Sequence, residues 1–144
     1  MEDKTVEAMD VIELTRALGK KIQQEEVYLQ YQIAKQNADN DPDLQRIISV
    51  FDEKRTALSE EGEKDDAEKS TAKIQQLSRE MRRAYGEIMS NQSMICYNEA
   101  KENYDVLMNR ISAIIQKSFS GEDPETADYS ASCSGSCATC GGCG

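Results

Sequence analysis

The chain has 144 residues, with no histidine, no tryptophan and a formal net charge of −10; 38% of its residues are hydrophobic and 31% charged. The acidic balance argues against direct binding to nucleic acid, whose affinity comes from lysine and arginine on phosphates. The missing histidines remove the commonest general base at neutral pH and the commonest metal ligand, so any metal must be held mainly by sulfur.

An apolar fraction this thinly spread among charges calls for narrow stripes on helices that associate. From Val6 to about Ala38, the residues Val6, Met9, Leu14, Ala17, Leu18, Ile22, Tyr28, Leu29 and Ile33 recur at helical spacing and predict one long helix. At 1.5 Å per residue it would span about 45 Å. Gly19 interrupts it, either as a point of close approach for another helix or as a surface glycine that weakens it.

Asn40-Asp41-Pro42-Asp43 closes that helix and opens a second. Asp41 can cap the new N-terminus, Pro42 suits the first helical position, and Asp43 complements the helix dipole. Leu44, Ile47, Ile48, Phe51 and Leu58 carry the second helix from Pro42 to about Glu61, and a hydrophilic hinge from Glu60 to Asp66 turns the chain.

A third helix, from about Asp66 to Ser90, sets Ile74, Leu77, Met81, Ala84, Tyr85 and Ile88 on one face. Lys73, Arg79, Arg82 and Arg83 occupy another. They read as a solvated surface pairing with Glu80 and Glu87, or else as a docking surface for an acidic partner.

After Ser90-Asn91-Gln92-Ser93 a fourth helix is expected to reach about Ser118, striped by Tyr97, Ala100, Tyr104, Leu107, Ile111, Ile114 and Ile115. The steps from Ala100 through Leu107 and Ile111 to Ile114 follow heptad positions. The first and fourth helices have the strongest stripes and are expected to pair. The fold class is therefore all-α, an antiparallel bundle of about four helices, two of them long.

Cys96, early in the fourth helix, reads as a small buried hydrophobe, with a part in a second, intersubunit metal site as the alternative. Glu25-Glu26 and Glu60-Glu61 lie in solvated helical sequence with no apolar pocket to raise a carboxylate pKa, so they do not form an acid–base site. No phosphate-binding loop, nucleophile elbow or dinucleotide fingerprint is present, and the chain reads as no enzyme. No leader-like start and no membrane-spanning run appear, which places the expected location in the cytoplasm without membrane insertion.

Beyond the helical region, 1–118, the composition changes. Residues 119–132 form an acidic, proline-containing stretch expected to be a flexible linker, with a reach on the order of 20 Å. The last segment, 133–144, holds four of the five cysteines, Cys133, Cys137, Cys140 and Cys143, in a C-x3-C-x2-C-x2-C run. Glycines between them permit a tight wrap, and Ser134, Ser136 and Thr139 can donate to thiolates. With no apolar residue larger than alanine after Tyr129 to bury, such a tail is ordered by a metal or remains disordered.

All-thiolate ligation suits an iron–sulfur cluster, here of the 4Fe-4S kind, or tetrahedral zinc. Incidental thiols are the third reading. Cys133, Cys137 and Cys140 alone match the CxxxCxxC spacing of radical S-adenosylmethionine enzymes, but the chain is too short for the barrel those need. A thiol redox or metal-delivery role is a weaker alternative, because no basic residue or apolar shelter lies beside the cysteines to lower a thiol pKa.

The stretch Ile12-Glu13-Leu14-Thr15-Arg16-Ala17-Leu18-Gly19-Lys20-Lys21-Ile22, then Tyr28-Leu29-Gln30-Tyr31 and Asn40-Asp41-Pro42-Asp43-Leu44, resembles the YlbF/YmcA family of bacterial regulators. Tyr97-Asn98-Glu99-Ala100, with Leu107 and Ile111, is similar to that family's final helix. The resemblance runs from about Val6 to Ile115.

It implies a helical bundle that oligomerises through its helices, and a non-enzymatic role in a cytoplasmic complex of YlbF, YmcA and YaaT proteins. That complex is associated with iron–sulfur clusters, with ribonuclease Y-dependent RNA maturation, and with competence, sporulation and biofilm control. Carried onto this chain, the implied cluster ligands are Cys133, Cys137, Cys140 and Cys143, and the implied partners are further copies, YmcA-like and YaaT-like subunits and ribonuclease Y. The chain departs from a pattern in which subunits pool a few cysteines, since its own tail has sulfur enough for a complete site.

Overall fold

The computed structural model describes residues 5–130. The acidic stretch is therefore described as far as Ser130, and the cysteine segment 133–144 lies outside the described residues. Among those described, the chain is all-helical: a short 3-10 turn, Val6–Ala8, precedes α1 (Val11–Gln24), α2 (Glu26–Asp39), α3 (Pro42–Glu63), α4 (Thr71–Ser90) and α5 (Gln92–Phe119). The described residues fall into two compact units, divided between Tyr104 and Asp105.

The single long helix predicted for Val6–Ala38 is instead two helices and a turn. Asp10 and Glu13 build a reciprocal capping box, with the Glu13 amide donating to Asp10 Oδ1 at 2.8 Å and the Asp10 amide to Glu13 Oε2 at 3.1 Å, and this starts α1. Glu25 then adopts an extended conformation, φ −66° and ψ 139°, between α1 and α2. The break has a reason in the pattern. Tyr28 follows Ile22 by six positions, out of step with the three- and four-residue strides of a helical face, and the extended residue resets the phase.

The second helix begins as expected. Asp41 Oδ1 accepts from the amides of Asp43 and Leu44, and Pro42 takes the first turn. It runs on past Gly62 to Glu63, so the turn falls later than the predicted hinge, and α4 begins at Thr71 rather than Asp66. Two local features account for this. Ser70 Oγ caps α4 by accepting from the Lys73 amide, and the Glu61 carboxylate, 2% exposed, ties the turn together. Glu61 accepts from Lys64 Nζ at 2.7 Å, Lys73 Nζ at 3.0 Å and the Ser70 amide at 3.0 Å.

The closest packing is between α3 and α4, an antiparallel hairpin. Its cross-pairs step inward from Asp41 with Asn91, through Phe51 with Tyr85 and Lys54 with Glu80, to Glu61 with Lys73. Leu44 (1% exposed), Ile47, Ala84 and Ile88 fill the seam with Ala38 from α2; Ile48, Val50, Phe51, Met94 and Tyr97 pack around them. Burying an aliphatic side chain of this size contributes about 1.5–3 kcal/mol.

Glu80, expected to pair with cations of its own helix, is held by Lys54 of α3 at 2.7 Å, which depresses its pKa and raises that of the lysine. Arg82 turns to its own helix's Ser78 carbonyl, and Arg83 lies 4.0 Å from Glu87.

In the second unit, α5 ends in a turn around Gly121, whose φ of +82° suits glycine. The Ser120, Gly121 and Glu122 amides donate back to the last helical carbonyls. Asp123 then organises a further turn, Ala127 is buried, and Asp128 receives a bidentate pair from Arg110 at 2.8–3.2 Å. The Arg110 guanidinium holds the Asp128 carboxyl below its usual range.

Candidate protein-interaction surface

The first unit brings α2 and α5 together through tyrosines. Tyr31 stacks on Tyr104, with centroids 4.8 Å apart and planes 10° from parallel; Tyr31 meets Tyr97 at 5.8 Å, and Tyr28 meets Tyr104 at 6.3 Å. A hydrogen bond with Tyr31 raises the Tyr97 pKa. Pairing of the first and last predicted helices is thus made by α2, the second half of that first element.

Beside this column, α2 and the start of α5 form a groove of about 310 Å³. Ile33, Ala34 and Ala100 give it an apolar floor; Glu99 and Asn103 stand on its α5 side. Cys96 lies on the same groove. It was expected to be buried, but it is exposed, because Met94 and Tyr97 take the inward positions of that turn. Gln92 Nε2 donates to its sulfur at 3.4 Å.

Elsewhere the helices are only partly covered. Neither α1 nor α5 contributes one fully buried residue. On α1, Val11 (75% exposed), Ile12 and Leu18 (37%) are open, as are Leu29 and Ile33 on α2. In the second unit Val106, Ile115 and Phe119 are exposed. Scattered apolar residues are ordinary at a surface, but Val11, Ile12 and Leu18 lie open together on one amphipathic helix whose Leu14 and Ile22 are only half-buried, which fits an interaction surface.

The four tail cysteines lie outside the described residues. Among the described ones, no group of three or more histidine, cysteine, aspartate or glutamate side chains converges on a point that could hold a metal ion. No buried side-chain nitrogen or oxygen there lacks a hydrogen-bond partner. No described helix is long and apolar enough to cross a membrane.

Residues 11–120 match the family model described as Control of competence regulator ComK, YlbF/YmcA. The chain belongs to the YlbF/YmcA family. That match takes in all five helices and stops just short of Gly121, so the family body comprises α1 to α5 and leaves the cysteine segment beyond it. No curated protein and no solved structure matches the chain.

Sequence reasoning missed two features of this YlbF/YmcA body. The groove between α2 and α5 depends on the break at Glu25, which carries no glycine or proline. The turn clamp at Glu61 was read as solvated sequence. The available signal for the first of these was the slip of phase between Ile22 and Tyr28.

Proposed function

We propose that this YlbF/YmcA-family chain is a non-enzymatic regulatory adaptor that acts in the cytoplasm as part of an oligomeric complex. The observation that carries the reading is the exposed Val11, Ile12 and Leu18 of α1, together with the open side chains of α2 and α5, on a body of the competence-control family. Such surfaces bind protein, and a second set of helices completes the antiparallel bundle that one chain leaves open. The partners are further copies, YmcA-like and YaaT-like subunits and, through them, ribonuclease Y, whose RNA processing and linked developmental control the complex modulates. The acidic charge supports action on a nuclease rather than on RNA.

The donor set Cys133, Cys137, Cys140 and Cys143 fits a 4Fe-4S cluster, being four thiolates without competing histidine. A cluster there supplies oxidation-state sensitivity. The chain's own contribution is the sulfur ligation, with Ser134, Ser136 and Thr139 as hydroxyl donors.

The test is iron and acid-labile sulfide analysis, with a visible absorption spectrum, on protein purified without oxygen. Iron and sulfide in equal amounts, lost when the four cysteines are changed to serine, is the expected result. That variant should keep its helical circular dichroism and lose its partner subunits. Zinc without sulfide would make the tail a structural staple, and partner binding unchanged by the four serines would overturn a metal-gated role.

A further inference from the structure

Helix α4 turns one cationic face away from its own chain. Arg79, Arg82, Arg83 and Gly86 follow the three- and four-residue strides of a single helical face, and all four are exposed. The acids nearest to these arginines neutralise them poorly. Glu80 is held by Lys54 of α3 at 2.7 Å, and Glu87 lies 4.0 Å from Arg83 with both side chains open to solvent. Arg82 gives Nε to the Ser78 carbonyl of its own helix. Three arginines thus stand against one loosely held carboxylate, on a chain whose net charge is −10.

Where that face meets α3 the surface dips. Ile47, Arg83, Gly86, Glu87, Ser90 and Asn91 line an open depression of about 550 Å³, and Ile47, a member of the buried core, gives it an apolar floor. Gly86 keeps the dip open. Nothing in the chain's own packing calls for glycine there, since a Cβ built at this position in α4 would meet no atom within 4 Å. Glycine weakens such a position relative to alanine, and its bare backbone admits close approach by another chain. Tyr85 (54% exposed) and Met89 (40%) open a turn away.

From this we infer that the outer face of α4 docks an acidic segment of a protein partner, whose carboxylates pair with Arg79, Arg82 and Arg83 while one aliphatic side chain enters the depression at Gly86. The inference rests on the adaptor reading above and names a surface and the chemistry of the segment that fits it. Arginine suits the task, because its planar fork matches a carboxylate with two parallel hydrogen bonds.

RNA is the other anion to weigh, and the surroundings favour protein. A long phosphate backbone would run on across a chain of net charge −10, whereas a short acidic segment meets only the local cations. The isoleucine floor accepts an aliphatic side chain and offers no donor to a phosphate.

The test uses the full-length chain and a fluorescein-labelled peptide, Glu-Asp-Glu-Leu-Glu-Asp, followed by fluorescence polarisation. Binding that weakens with added salt is expected. Arg79→Gln, Arg82→Gln and Arg83→Gln together should weaken it about tenfold and keep the helical circular dichroism. Gly86→Leu should also weaken it without lowering Tm, because leucine fills the depression and strengthens the helix. Exchanging the peptide's leucine for alanine should weaken binding to the wild type and leave binding to Gly86→Leu unchanged.

No peptide binding, or binding that both variants retain, would overturn the docking face while leaving the oligomeric adaptor in place. A labelled single-stranded RNA of equal length that binds more tightly than the peptide, and loses its affinity with the three arginines, would overturn the protein segment and give the face to RNA. A chain that binds the peptide as expected but is monomeric at all concentrations would overturn the oligomeric reading and keep the face.

Discussion

Ser93 Oγ donates a hydrogen bond of 2.8 Å to Asp41 Oδ2 across 52 positions of sequence. The other carboxylate oxygen of Asp41 receives the first amides of α3, and Asn91 Nδ2 reaches Oδ2 at 3.2 Å. One side chain therefore caps α3 and fastens it to the α4–α5 junction. Its pKa is lowered, first by the Leu44 amide and then by Ser93.

Removing the two functions of Asp41 together should cost more than removing one. Asp41→Ala is expected to lower Tm by roughly 5 °C or more, and Ser93→Ala by about half as much, in thermal melts followed by circular dichroism. Equal effects would show that the junction, and not the cap, sets the stability here.

Glu61 gives the protein a definite acid response. Lys64, the Ser70 amide and Lys73 hold its pKa at about 2, below the ordinary 4.5. The folded state favours the carboxylate, so the stabilisation is complete above the ordinary value and is lost as pH falls from about 4.5 towards 2. Urea midpoints measured across that window should drop with pH in the wild type. In Glu61→Gln they should start lower at neutral pH and show a shallower acid slope; an unchanged slope would remove Glu61 from the acid transition.

Leu44 lies at the centre of the seam shared by α2, α3 and α4. Leu44→Ala is expected to cost about 2–5 kcal/mol in urea unfolding. The same change at Leu58, which is only partly buried, should cost less, and a similar loss at both would move the centre of the core towards the turn.

The parts of this fold that were legible in the sequence are those fixed by neighbouring residues. Asp41-Pro42-Asp43 announced the start of α3 because capping, ring geometry and dipole all act within one turn. The break at Glu25 left only a slip of phase between Ile22 and Tyr28, which a reading of nine apolar positions as one helix absorbs. Glu61 was misread because its burial is made by Ser70 and Lys73, which meet it only once the chain has turned.

Cys96 was misplaced for a related reason. Which side of α5 faces inward is decided by Met94 and Tyr97 against a core drawn from other helices. The four tail cysteines lie outside the described residues, and the site proposed for them rests on their spacing alone.

The inward-stepping pairs of the α3–α4 hairpin have a consequence for how the molecule is made. Contacts near the turn join residues close in sequence, and each later pair needs only a slightly longer loop to be closed, so the hairpin can zip from Glu61 outward at little entropic cost. It requires nothing beyond Asn91. On the ribosome it can therefore close while α5 is still being synthesised.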